Sequence, residues 1–169
     1  ELFRDLRSIE SIRPLGTTTT SGHTIPTEHL YINLVWDPTS DSVIPLRSPG
    51  KVWITHISGR EQPPSTTVHF AICKELYGYF NHMDSLSPLL QGFVDALGCP
   101  PDVRVGSNEC TAAMFEPIDA AAHIGFAPTN RNFDLGAWDI RSERFTVNPA
   151  RYGSRSLFIP YARNYFAEP

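Results

Sequence analysis

Fifteen prolines in 169 residues, against a protein average near 5%, leave little uninterrupted chain. Each proline removes a backbone donor and fixes φ, so it ends a helix or bounds a strand. Eleven glycines add further breaks. Between the breaks lie short runs rich in β-branched and aromatic residues, the residue types that suit a half-buried pleated surface. His29 to Trp36 reads as a central strand, and Val43 to Leu46 as a short one. Lys51 to Ser58 alternates, which predicts Val52, Ile54 and His56 on one face and Trp53, Thr55 and Ile57 on the other. Thr66 to Cys73, Tyr77 to Phe80, Met114 to Ile118, His123 to Phe126 and Phe133 to Arg141 read as further strands. Ser48-Pro49-Gly50 and the segment from Gly59 to Ser65 read as turn and loop.

One helix interrupts this pattern. Ser87 suits an N-cap, Pro88 the first helical position and Gly98 the stop. Leu89, Leu90, Phe93, Val94 and Leu97 form its expected apolar stripe. Leu2, Leu6 and Ile9 suggest a second short helix near the start, and Asn148 to Tyr152 a capped turn. The pattern predicts an all-β, mainly antiparallel sandwich or barrel with one short helix inserted near 87–97. The expected organisation is an extension over 1–21, a β domain over 22–147, and a C-terminal extension over 148–169 that continues into a longer parent chain.

Charge excludes some functions. Acidic residues outnumber basic ones, the net charge is -4, and no basic run of five residues occurs. Nucleic-acid binding therefore has no electrostatic footprint. No apolar run approaches the ~18 residues of a membrane span. Of the three cysteines, Cys99 and Cys110 flank a Pro- and Gly-rich loop that a disulfide would restrain. Cys73 with Cys110 is the other oxidised pairing, and three reduced thiols the remaining one. No Cys-x-x-Cys occurs, so a cysteine zinc site is not expected.

Six histidines carry most of the candidate chemistry. None forms His-Glu-x-x-His. His56, His69 and His123 read as structural. His29 and Asn33 are four apart on a strand and so share a face. His82 ends a strand, where an imidazole can serve as general acid or base. Ser85 and Ser87 lie close to it, but without a Gly-x-Ser-x-Gly elbow they read as caps of the following turn and helix. Asp134 and Asp139 are five apart and face opposite ways on one strand, which argues against a glycosidase pair. Tyr and Trp side chains offer stacking surfaces for sugars.

The order of these segments resembles the lysostaphin-like (LytM-type) zinc endopeptidases that cut peptidoglycan cross-bridges. His29-Leu-Tyr-Ile-Asn33 stands where that family has His-x-x-x-Asp. Val43 to Trp53 is similar to its apolar, Pro, Gly and strand segment. Phe80-Asn81-His82-Met83 matches its aromatic-x-His-apolar motif, and Ala122-His123-Ile124-Gly125 its Gly-x-x-Ile-Gly turn. Asp134-Leu135-Gly136 stands where the family carries His-x-His. The resemblance spans about residues 22 to 141.

What the resemblance implies is a family fold with an incomplete metal set. His29 corresponds to a zinc ligand and His82 to a catalytic residue, vestigial or acting as general base. The acidic ligand is Asn33, and the last ligand is Gly136. No cofactor is expected; zinc, if bound, would use His29 and Asn33. The cleft residues implied are His29, Asn33, His82 and Asp134. The expected function is a non-catalytic binding or assembly domain, secreted or in the cell envelope, with a glycan or peptide ligand. The alternatives are a zinc-dependent peptidoglycan endopeptidase with an altered ligand set, and a structural domain of a surface or filament-forming protein.

Overall fold

A computed structural model describes residues 6–13, 29–35, 44–60, 65–73, 76–97, 112–127 and 132–139. A 3-10 turn, Leu6–Ser8, leads into β1 (Ile9–Arg13). Then follow β2 (Leu30–Leu34), β3 (Ile44–Arg47), β4 (Val52–Arg60), β5 (Ser65–Ala71), β6 (Leu76–Met83) and β7 (Ser85–Leu86). The helix α1 (Pro88–Ala96) precedes β8 (Ala112–Ile118), β9 (His123–Ala127) and β10 (Asn132–Asp139).

The strands form two antiparallel sheets. The larger has the order β1-β2-β10-β6-β5-β4-β8, and the smaller β3-β9-β7. Among the described residues the larger sheet runs from β1 to β8 without closing into a barrel. Its inner face carries Leu30, Ile32, Phe133, Leu135, Phe80, Val68, Phe70, Ile54 and Ile57. These meet Leu46, Ile124 and Ala127 of the small sheet and Leu90 and Val94 of α1 in one core. The Phe80 ring stacks between Phe70, 4.6 Å away, and Phe133, 6.0 Å away, which ties β5, β6 and β10 together. No described helix is long and apolar enough to cross a membrane.

The chain changes sheets between β6 and β7 within one residue, Asp84. Its amide donates to the Phe126 carbonyl at 2.8 Å. Gly125 makes the corner possible. Its φ is +153°, and a Cβ there would strike the Ser85 carbonyl and Met83.

The all-β class with one inserted helix agrees with the sequence pattern, and four local expectations do not. The stretch around Ile9 is a strand, because Ile9 fills the core and pairs with Leu34 of β2. It lies inside the segment read as an N-terminal extension. On β4 the alternation breaks. Ile54 pairs with Phe70 but His56 pairs with His69, so a bulge at Thr55 shifts the phase. Val52, Ile54 and Ile57 therefore enter the core, and His56 turns to the outer face with Trp53. The helix stripe narrows to Leu90 and Val94, with Phe93 at its margin. Leu89 lies about 100° around the helix from Leu90, and Leu97 falls past the last helical residue, so both are exposed. Cys73 lies beyond the end of β5, exposed in a bend where the Ile72 and Cys73 amides share the Leu76 carbonyl. Cys99, Cys110 and Asn148 to Tyr152 lie outside the described residues.

The Ser87 cap is as expected. The Leu90 amide donates to its hydroxyl at 3.3 Å, and Pro88 follows at the first helical position. Ser87→Ala should lower stability by about 1 kcal/mol in urea unfolding. Ser85→Ala, at an exposed position, should change it by less than about 0.5 kcal/mol.

Candidate functional site

Strand alternation places a polar and aromatic set on the outer face of the large sheet. Asp134 of β10 pairs with Tyr31 of β2 on one side and with Asn81 of β6 on the other. Residues directly opposite in a ladder project to the same face. His29 and Asn33 share that face with Tyr31 by period two. So do Tyr79, opposite Gly136, and then His69 and His56 across β5 and β4.

His82 reaches this face through a backbone irregularity. Thr66 pairs with Met83 and Val68 with Phe80, which leaves Thr67 opposite both Asn81 and His82. His82 takes φ 65°, the left-handed region. A non-glycine residue there costs roughly 1–2 kcal/mol. The bulge lets two consecutive side chains address one point, as bulges near functional sites do.

That point is the carboxylate of Asp134, which is 1% exposed. Its Oδ2 lies 3.1 Å from His82 Nε2 and 3.4 Å from His29 Nε2. The Asn81 amide donates to the same oxygen at 3.3 Å. Asn81 is held in turn by the Thr67 hydroxyl, which donates to Oδ1 at 2.6 Å. The second nitrogen of His82, Nδ1, is 3.1 Å from the Ser65 hydroxyl. The His82 ring is thus held at both nitrogens, and its orientation is set by the protein.

The structure brings His29, His82 and Asp134 together and leaves Asn33 apart. Asn33 pairs with Asn132, two residue pairs along the ladder from Tyr31 and Asp134, and its amide donates to Ser11 of β1 at 2.8 Å. Gly136 shares the face with Asp134, but the space above it is filled. A Cβ at Gly136 would land within the Tyr79 ring. Among the described residues, no group of three or more His, Cys, Asp or Glu side chains is placed to hold a metal ion.

Other residues on this face escaped the sequence reading. His29 contacts Tyr31 at 4.6 Å between ring centroids and Tyr79 at 6.2 Å. Tyr79 lies 5.8 Å from His69, and His69 5.4 Å from His56. At the far edge, Trp53 stacks on the exposed Phe115 at 6.1 Å. The alternation Tyr77, Tyr79, Asn81 was a visible signal for part of this row. His123 remains structural, with Nε2 3.0 Å from the Gly125 carbonyl and its ring on Phe126 at 4.7 Å. Ser65 occupies the place beside His82 that Ser85 and Ser87 suggested. The side chain of Asp139 lies outside the described residues.

Burial shapes the charge states here. It pushes the Tyr31 hydroxyl up to about 12, with the Asp134 charge adding to the rise and Arg13 opposing it. It also holds the His69 imidazole below its ordinary value, helped by His56. Comparison with protein-family models, curated proteins and solved structures finds no match to this chain.

Gly136→Ala should destabilise the fold by about 1–3 kcal/mol through overpacking against Tyr79. In a double-mutant cycle read by urea unfolding, Tyr79→Ala should relieve most of that cost. For Tyr31 the protonated form is favoured in the folded state. Its contribution is full below pH 10, the unfolded value, and is lost as pH rises toward about 12. Denaturant midpoints measured between pH 9 and pH 12 should therefore fall more steeply in wild type than in Tyr31→Phe.

Proposed function

We propose that this domain is a non-catalytic binding or assembly module of the cell surface or envelope, a degenerate relative of the lysostaphin-type peptidases. Its ligand is a glycan or peptide held on the outer face around Asp134, His29 and Tyr79. The observation that carries this reading is the Tyr79 ring seated over Gly136. Where the resemblance implies a last metal ligand, the chain has an aromatic surface instead. Beside it, His29 and His69 extend that surface with partly exposed rings. Sugar rings and peptide planes stack on such faces, while the Asp134 cluster supplies hydrogen bonds that fix orientation. His82 in this reading is a positioning group for Asp134 and a remnant of catalysis.

The second reading, a zinc-dependent peptidoglycan endopeptidase with an altered ligand set, draws on one observation. His29 and His82 both aim Nε2 at one oxygen of Asp134. The structural reading, one part of a longer surface or filament-forming protein, shares the same fold and needs no cleft.

The test is co-sedimentation of the purified chain with insoluble peptidoglycan, together with titration by soluble glycan fragments and glycine peptides. Binding should occur without cleavage, and Tyr79→Ala should weaken it about tenfold, as loss of ~1.4 kcal/mol of stacking would. Cleavage that disappears in His29→Ala would establish the enzyme and reject the binding reading. No association with any of these ligands would leave the structural reading standing in its place.

A further inference from the structure

The two histidines of the β4–β5 pair lie outside the Asp134 cluster; the reading above uses His69 only as part of an aromatic surface and His56 not at all. Both were expected to be structural, yet neither sits in the core. His56 and His69 are directly opposite across the ladder and only partly buried on the outer face.

His56 is there because of the bulge at Thr55. Strict alternation from Val52 and Ile54 would send it into the core, where an imidazole has no place among Ile57, Val68 and Phe70. The bulge spends one residue, Thr55, and its local effect is to turn His56 outward beside His69. Bulges recur where a strand must re-aim one side chain.

The ring geometry suits a shared ion. Two imidazoles on one tetrahedral zinc, each at ~2.1 Å from the metal, have ring centroids about 5.2 Å apart. The observed separation is 5.4 Å, with the planes at 72°. The same separation and angle also suit an edge-to-face pair; what the outward turn of His56 adds is that both rings lie on a partly exposed face, where an ion can reach them. Ligation needs neutral imidazoles, and burial together with His56 already favours neutral His69.

We infer that His56 and His69 form a two-imidazole clamp for an exchangeable divalent transition-metal ion of the zinc, nickel or copper kind. Two protein ligands leave the other coordination positions to water or to a donor atom of a bound molecule. The ion is therefore held more weakly than in a closed four-ligand site and is removed by chelators.

The experiment is calorimetric titration of the whole chain with zinc alone, in wild type, His56→Phe and His69→Phe. The phenylalanines keep a ring on the face and remove the ligand. Wild type should bind one zinc per chain, and each variant should lose at least tenfold in affinity. Zinc should also raise the wild-type Tm progressively with concentration, and raise neither variant's. Circular dichroism establishes folding, and His56→Gln replaces a phenylalanine variant that does not fold. No zinc binding, or binding that both variants retain, overturns the inference. Retained binding that is lost instead in His29→Ala places the ion at Asp134 and bears on the proposed function, not on this pair.

Discussion

The outer face is organised around one buried charge. Removing a carboxylate from water without partners costs many kcal/mol, and a buried polar cluster is tolerated only when its members are satisfied. Asp134 meets this requirement at Oδ2, where two imidazoles and an amide converge. The neighbouring geometry follows from that need. His82 accepts a left-handed backbone to arrive, Thr67 and Ser65 hold its companions in place, and Tyr31 keeps its proton beside the charge. Oδ1 has no hydrogen-bond partner among the described residues.

The two faces of the large sheet do different jobs because side chains alternate. Core side chains on β2, β10, β6 and β5 are Leu, Ile, Val, Phe and Met, and they seal against the small sheet and helix. Outward positions are His, Tyr, Asn, Thr and Asp. The bulges in β4 and β6 are local exceptions to alternation, and each delivers a histidine to the outer face. At these two points sheet irregularity coincides with side chains able to carry chemistry, which is where a fold tolerates strain.

The fold class was legible because proline and glycine bound short alternating runs, and the helix was legible from its serine cap and following proline. The phase of β4 was not, since a bulge leaves no mark in a hydrophobic pattern. The strand at Ile9 looked helical because its apolar residues fell at spacings a helix also allows, and only pairing with β2 decides between them. His29, His82 and Asp134 could be nominated from the motif order. Asn33 was nominated on the same ground; four positions along the strand from His29, it shares the face but bonds Ser11 instead of reaching Asp134. The role of Gly136 was invisible, since a glycine shows nothing of the ring that will lie above it.

Strand order has a consequence for when this site comes into being. β2 and β6 supply His29 and His82, yet they are not neighbours; β10 lies between them. Asp134, on that inserted strand, is the piece that joins the two imidazoles. During synthesis, a chain emerging in order would carry both histidines long before the carboxylate that unites them. The cluster is thus a marker of completion. It cannot exist in a fragment that stops short of β10, and contacts of such long sequence range form late and slowly.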